Sequence, residues 1–249
     1  MRTTSSFVVR STAGLAMAAT LTLAMAEDKP AEPKGWETSA FLGASLTRGN
    51  SDTFLANLAL DTKRKWTKDE LGFGASGAYG ETEDTTNTEY VRGYGQYNRL
   101  FSARFYGGLR LDGEYDGIAG VDYRFKVSPL AGYYFIKSAK TTLSAEVGPS
   151  VVFEKLEDQD TDTYVGFRLG ERFEHKLTAT TRIWQTAEYT PQVDRWAEKY
   201  LLVGEIGIDA AITKKASLSL VLQDTYDSEP SPGRDNNDFR MIAGVRYKF

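Results

Sequence analysis

The sequence predicts an all-β fold, an antiparallel transmembrane β-barrel of about twelve strands. Three observations predict it. The N-terminus has the pattern of an export signal, apolar and polar residues alternate with a period of two through the rest of the chain, and short connections alternate with longer polar ones. The chain also ends in an alternating segment with an aromatic as its last residue.

The first 26 residues form a predicted signal peptide. Arg2 and Arg10 precede an apolar stretch at 13–25, and a small-residue site, Ala24-Met25-Ala26, follows it. The stretch is short for a spanning helix but suits a signal that is removed on export. Residues 27–35 are predicted to be a short polar tail, and residues 36–249 the barrel. We therefore expect an exported protein of the outer membrane.

Composition limits the chemistry of the chain. It has no cysteine, a single histidine and a net charge of −4. A chain without cysteine has neither disulfides nor thiolate metal sites. The modest negative charge argues against nucleic acid as a partner. We expect no cofactor and no metal.

Hydrophobic periodicity gives the strands. In residues 103–116 apolar residues at every second position alternate with Arg104, Arg110, Asp112, Glu114 and Asp116. A helix would instead repeat like residues three and four apart. This reading predicts strands at 36–48, 52–66, 70–81, 88–101, 104–116, 122–137, 141–154, 163–176, 180–190, 199–212, 216–227 and 238–249.

The predicted connections fall into two classes. The short ones are 67–69, 102–103, 138–140, 177–179 and 213–215. The longer polar ones are 82–87, 117–121, 155–162, 191–198 and 228–237. The turn at 49–51 alternates with the short class and so belongs to this series, but it is an exception because it is short. Outer-membrane barrels have short periplasmic turns, longer external loops and an aromatic girdle at each interface. The aromatics expected near strand ends are Trp66, Phe101, Phe105, Tyr133, Tyr134, Phe135, Tyr247 and Phe249.

Alternation alone does not say which face meets lipid. A soluble barrel of the lipocalin type has the same period with its apolar face inward. About twelve strands would, however, enclose a lumen too wide for a few aliphatic side chains to fill. Charged residues inside and apolar residues outside are therefore the expected arrangement.

The inward face is predicted to carry a network of both charge signs. One interpretation is a set of ion pairs that satisfies buried charge, and the other is a solute path guided by arginines. Mixed signs favour the first. The candidate lumen residues are Arg92, Arg110, Asp112, Glu114, Arg168, Arg172, Arg182, Arg240 and Arg246.

The segment Gly43-Ala44-Ser45-Leu46-Thr47-Arg48-Gly49-Asn50-Ser51-Asp52-Thr53 resembles the opening hairpin of the salt-induced outer-membrane protein family, a domain of unknown function. The closing Gly244-Val245-Arg246-Tyr247-Lys248-Phe249 is similar to its end. The resemblance implies an outer-membrane barrel with an envelope or salt-stress role. It brings no catalytic residues.

No pattern in the chain indicates an enzyme. His175, the only histidine, is predicted beside a short turn with Lys176 next to it, which is a poor setting for a general base. We expect a non-enzymatic envelope protein. The alternative is a narrow channel for small hydrophilic solutes, and an outer-membrane enzyme is a weaker third.

The expected partners are outer-membrane lipid, lipopolysaccharide and the barrel assembly machinery. Tyr247 and Phe249 resemble the C-terminal signal by which barrels are recognised for assembly. The acidic segments 81–89 and 155–162 are interpreted as solvated loops, or alternatively as ligands for cations that bridge lipopolysaccharide.

Two prolines conflict with this reading. Pro129 and Pro149 lie inside predicted strands, where a missing N–H interrupts the ladder. A bulge or a strand end near each is expected to accommodate them.

Overall fold

The computed structural model of the chain describes residues 35–47 and 53–249. The predicted signal peptide, all of the predicted polar tail except Gly35, and the Gly49-Asn50-Ser51 turn lie outside the described residues.

The described chain folds into a closed antiparallel barrel of twelve strands, as predicted. Each strand pairs with the next along the chain, and β12 pairs with β1 to close the ring. The strands are β1 (Glu37–Thr47), β2 (Thr53–Lys65), β3 (Asp69–Thr82), β4 (Thr85–Leu100), β5 (Phe105–Asp116), β6 (Val121–Lys137), β7 (Thr141–Leu156), β8 (Asp162–Lys176), β9 (Thr181–Pro191), β10 (Tyr200–Ala211), β11 (Ala216–Asp227) and β12 (Asn237–Lys248).

The connections define two ends of the barrel. The short-turn end carries 66–68, 101–104, 138–140, 177–180 and 212–215. The loop end carries 83–84, 117–120, 157–161, 192–199 and 228–236, and a short 3-10 helix, Val193–Arg195, lies within 192–199. Among the described residues, no helix has the length and apolarity needed to cross a membrane.

One predicted loop is shorter than expected. The connection at 82–87 reduces to Glu83 and Asp84, because β4 begins at Thr85. Both residues adopt a positive φ, of 50° and 61°, which is the conformation of a two-residue hairpin turn. Most of the acidic segment 81–89 is therefore strand, and the prediction of a solvated loop there was wrong.

The polarity of the barrel is inverted relative to a soluble one. Along most of the strands, large apolar side chains are exposed at alternate positions, with Leu58, Val91 and Met241 each at least 60% exposed. The residues between them face inward, and Asp116, Ser128 and Ser150 on that face are fully buried. An apolar exterior around a charged interior is the arrangement of a barrel in a lipid bilayer, so the lipocalin-type alternative does not hold.

Exposed aromatics gather at the short-turn end, where the sequence predicts them. The predicted ones are Trp66, Phe101, Phe105, Tyr133, Phe135, Tyr247 and Phe249, and Trp36, which was not predicted, packs against Trp66. Tyr134 was wrongly included in this girdle. It lies on the inward face between two outward neighbours, is buried, and donates a hydrogen bond to Glu70 Oε2 at 2.5 Å.

The two strand prolines share one interruption. The β6–β7 register runs from Val127 opposite Val151 to Ala131 opposite Val147, with no ladder pair between them. The same register puts Pro129 opposite Pro149, so one gap accommodates both missing N–H groups. No bulge is needed there, contrary to the expectation, and Ser128 Oγ donates to Ser150 Oγ at 2.9 Å on the lumen side.

The lumen charge network as a candidate functional site

All nine candidate lumen residues lie on the inward face of their strands. They alternate with exposed apolar neighbours such as Val91, Leu111 and Met241. This placement follows from the sequence pattern. The contacts that these residues make across the lumen cannot be read from that pattern, because they depend on how the ring of strands closes.

Asp116 is the centre of the network near the loop end. Arg240 Nη2 donates to Asp116 Oδ2 at 2.8 Å, and Arg92 Nη2 donates to the same oxygen at 3.3 Å. The Ala119 N–H donates to Asp116 Oδ1 at 3.0 Å. Arg92 also pairs with Glu114 at 2.9 Å. The carboxylate is fully buried, so these donors replace the water that would otherwise solvate it.

The Arg240–Asp116 ion pair crosses the lumen. The two residues lie on β12 and β5, which are five steps apart in the ring of twelve through β1, β2, β3 and β4. A direct contact between strands so far apart means that side chains fill the barrel at this level.

A second bridge joins the opposite walls through Arg124. Its Nε donates to Glu154 Oε2 on the neighbouring strand at 2.8 Å. Its Nη2 donates to Asp227 Oδ2 at 2.6 Å, and β11 is again five steps from β6. The Arg124 and Glu154 side chains are nearly inaccessible to water.

Arg168 holds the middle of the network. Its Nη1 donates to Glu146 Oε2 and its Nε donates to Glu188 Oε2, both at 2.8 Å. Lys126 bonds the other oxygen of Glu188, and Gln96 Nε2 donates to Glu146 Oε1 at 2.6 Å. Four strands besides β8 therefore meet around one guanidinium.

Arg110 forms a more local pair. Its Nη2 lies 2.8 Å from Asp112 Oδ1 on the same strand, and its Nη1 donates to Gln96 Oε1 at 3.0 Å. The guanidinium also lies 4.6 Å from the centre of the Tyr94 ring, a cation–π distance.

The short-turn half of the lumen holds two further arginines in pairs. Arg182 Nη2 donates to Asp209 Oδ2 at 2.5 Å and Arg182 Nη1 lies 3.3 Å from Glu174. Arg246 lies 3.5 Å from Asp61 and 3.6 Å from Asp209.

Aromatic rings also pack across the inner wall, and glycines make room for them. A Cβ atom at Gly132 would overlap the Tyr106 ring, and one at Gly207 would overlap the Trp184 ring. The Tyr106 hydroxyl donates to Glu146 Oε1 at 2.9 Å, which ties this packing to the charge network.

The loops at the loop end contact one another above the network. Ser231 Oγ donates to the Gly120 carbonyl at 2.6 Å, and Arg234 pairs with Glu157 at 2.6 Å. Arg195 pairs with Glu229. Segment 228–236 is thereby joined to three other loops. In the described part of the chain, no group of three or more His, Cys, Asp or Glu residues is arranged to hold a metal.

Sequence reasoning missed several members of the network. They are Arg124, Lys126, Glu154, Glu188 and Asp227, and Asp116, which was noted as a polar position but not as a candidate. The signal was present in β6, where Arg124, Lys126 and Ser128 alternate with Phe125 and Val127.

His175 has an ordinary structural setting. It lies beside the short turn, as predicted, with Nδ1 2.8 Å from Thr141 Oγ1. Its ring stacks on Phe173 at 6.3 Å between centroids, on the outward face. The ring thus has one hydrogen-bond partner, a threonine hydroxyl on the neighbouring strand, and one stacking partner.

Comparison with solved structures returns outer-membrane barrels of low sequence identity. The chain is similar to the KdgM porin, with 10% identity, a TM-score of 0.48, and coverage of 86% of this chain and 99% of that one. It is similar to the channel DcaP of Acinetobacter baumannii, with 10% identity, a TM-score of 0.43, and coverage of 86% and 95%. The β-domain of the Bordetella autotransporter BrkA has 15% identity, a TM-score of 0.42, and coverage of 86% and 98%.

No curated protein matches the sequence. A family model does match it, over residues 40–249, which is almost the whole barrel from β1 to the last residue. The chain therefore belongs to the DUF481 family, whose description is that of proteins of unknown function.

Proposed function

We propose that the protein is a non-enzymatic barrel of the outer membrane whose lumen is closed by its own ion pairs, and that it serves the envelope as a structural component. The apolar exterior, the even number of strands and the difference between short turns and longer loops support this location. On this proposal the short-turn end faces the periplasm.

One observation carries the closed lumen. The Arg240–Asp116 and Arg124–Asp227 pairs join strands on nearly opposite walls, and Asp116 and Arg124 are buried from water. A solute or ion that crosses this level must first separate at least one of these pairs. Charges held in a low-dielectric interior interact more strongly than charges in water, so the pairs present a barrier to passage.

A planar-bilayer recording tests the closed lumen. We expect the purified wild-type barrel to give no stepwise conductance. A variant with uncharged replacements in both bridges, Asp116→Asn, Arg240→Gln, Arg124→Gln and Asp227→Asn, should give conductance steps, because no charge pair then holds the walls together. Steps of the same size from the wild type would overturn the closed lumen and favour a channel.

The channel alternative rests on a different observation. In the short-turn half of the lumen charged side chains stay accessible to water, since Arg172 is exposed and Lys63 is half-exposed. Exposed charge on an inward face indicates a hydrated vestibule, which a narrow path for small hydrophilic solutes would need. The barrel would then conduct only when the bridges at the loop end separate.

A role in salt adaptation is a further proposal, which rests on the resemblance of the opening hairpin. Cells grown with and without added sodium chloride would be fractionated and probed for the protein. We expect it in the outer-membrane fraction, and in larger amount at high salt. An unchanged amount would contradict the role in salt adaptation. Recovery in the inner-membrane fraction would contradict the proposed location.

A further inference from the structure

The connections at the two ends of the barrel differ in charge. Four of the five short connections contain lysine or arginine, and none of the five contains aspartate or glutamate. At the loop end, segments 83–84 and 157–161 contain no lysine or arginine, and their carboxylates are those of Glu83, Asp84, Glu157, Asp158 and Asp160. Positive charge is therefore concentrated at the short-turn end, although the chain as a whole has a net charge of −4.

Six lysines form the basic rim of the short-turn end. They lie in the short turns or at the adjoining ends of β8 and β12, and we call them the rim lysines: Lys68, Lys140, Lys176, Lys214, Lys215 and Lys248. All six are exposed, and none forms an ion pair within the described part of the chain. Lys176 Nζ donates one hydrogen bond, to the Ala139 carbonyl at 2.9 Å.

The carboxylates at this end of the barrel pair with other cations. The pairs are Glu37 with Lys63, Asp69 with Arg99, and Glu70 with Lys65 and Lys137, and in the lumen Glu174 and Asp209 with Arg182. Glu171 faces outward further from the rim and accepts a hydrogen bond from Gln185 Nε2 at 3.2 Å. The terminal carboxylate of Phe249 offsets one lysine at most. The rim lysines therefore leave an excess of positive charge.

The rim lysines lie at the level of the aromatic girdle. Lys68 follows Trp66 by two residues. Lys215 Nζ lies 5.8 Å from the centre of the Tyr247 ring. Aromatic rings gather where the bilayer meets water, at the depth of the lipid headgroups. A lysine at this depth lays its apolar stem along the rings and extends its ammonium group to the phosphates.

We propose that the rim lysines bind the headgroups of anionic phospholipids, so that the leaflet around the short-turn end is enriched in these lipids. The headgroup supplies the negative charge that the rim lacks, and the girdle places it within reach. Basic side chains close to an anionic leaflet each add a favourable interaction with it. The loop end, whose connections carry the carboxylates, has no such preference. The proposal applies equally to a closed and to a conducting barrel.

Two tryptophans report separately on the two ends. Trp66 at the short-turn end and Trp196 at the loop end are similarly exposed, at 41% and 43%. Trp196 packs on the outward-facing Phe167 ring at 5.8 Å between centroids. One reporter protein carries Trp36→Phe and Trp196→Phe, and the other carries Trp36→Phe and Trp66→Phe. Trp184 stays in both, because it lies on the lumen face, away from lipid.

Quenching of tryptophan fluorescence by brominated lipid tests the proposal. Each reporter is refolded into vesicles of one fixed mixture of phosphatidylglycerol and phosphatidylcholine, in which either the first or the second lipid carries the bromine. At low salt we expect brominated phosphatidylglycerol to quench Trp66 about twofold or more above brominated phosphatidylcholine. In about 1 M sodium chloride, where the Debye length is about 3 Å, this preference should disappear. Trp196 should show no preference at either salt concentration.

Charge variants connect the preference to the rim. In the Trp66 reporter, replacing all six rim lysines with glutamine should abolish the preference, whereas replacing all six with arginine should keep it, because the charge remains. None of the six has an ion pair to lose, so both variants should retain the heat-modifiable folded form.

Three results would overturn the proposal: no preference at Trp66, an equal preference at Trp196, or a preference that survives in the glutamine variant. If the first result comes with salt-sensitive cosedimentation of the barrel with purified peptidoglycan, and the glutamine variant does not cosediment, the rim lysines bind that anionic polymer instead of lipid. A barrel that conducts in planar bilayers would contradict the closed lumen and leave the quenching result unaffected, so the two failures are distinguishable.

Discussion

Asp116→Ala should destabilise the barrel by about 3–5 kcal/mol, which is the range for removing one partner of a buried ion pair. The change leaves Arg240 and Arg92 without the oxygen that both contact, and it leaves the Ala119 N–H without its acceptor. Arg92 keeps Glu114, whereas Arg240 keeps weaker polar contacts, an ion pair with Asp238 at 3.7 Å and a hydrogen bond to Gln223 Oε1 at 3.5 Å. The free energy of unfolding in urea, measured in lipid vesicles, gives the value.

Asp122→Ala is the matched control for this loss. Asp122 is an aspartate near the same end of the barrel, and it pairs with Lys155 at 2.9 Å while both side chains are more than 40% exposed. An exposed pair contributes about 0–1 kcal/mol, because water and salt screen it. Similar effects of the two substitutions would mean that water reaches Asp116 as freely as it reaches Asp122.

The double variant Asp116→Ala with Arg240→Ala separates two contributions to the free energy of unfolding. One is the destabilisation caused by an unpaired buried charge, and the other is the stabilisation due to the ion pair itself. Removing both partners leaves no unpaired guanidinium at this bridge, so we expect the double variant to be more stable than Asp116→Ala alone. The interaction energy from the full cycle should exceed that from Asp122 and Lys155. Strict additivity would show that Arg240 does not depend on Asp116 in the folded barrel.

Strands and faces could be predicted from this sequence because both are local properties. A residue's face depends on whether its position is odd or even along the strand, so the apolar residues of each alternating segment are expected outside, and Leu218, Leu220 and Leu222 are exposed. The same rule explains the error at Tyr134. It was grouped with its neighbours by proximity to a strand end, although its position puts it inside.

The contacts of the lumen could not be predicted in the same way. Arg124 reaches Asp227 across 103 positions of sequence, and which strands face each other depends on the number of strands and on the register at closure. The two prolines show a similar dependence. Each looks like a defect in its own strand, and only the β6–β7 register reveals that one gap serves both.

Deletion of Phe249 should lower the amount of folded barrel in the outer membrane several-fold while changing its stability little. The residue is 72% exposed, and its N–H donates one hydrogen bond, to the Thr38 carbonyl at 3.0 Å. Its ring meets Tyr247 edge-on at 5.3 Å between centroids. The hydrogen bond is worth about 0.5–1.5 kcal/mol, so a large loss in cells would have to arise during assembly rather than from stability.

Two measurements on the same variant distinguish these causes. The heat-modifiable form in outer-membrane fractions reports assembly in the cell, and unfolding of the purified barrel refolded into lipid vesicles reports stability without the assembly machinery. Phe101→Ala is the control, because Phe101 is a similarly exposed aromatic of the short-turn end that is not at the C-terminus. We expect a deficit in cells for the Phe249 deletion alone, and near wild-type stability for both proteins in vesicles. If the deletion and Phe101→Ala reduce the folded form equally, Phe249 acts as one more aromatic of the girdle, and the last strand carries its assembly signal elsewhere.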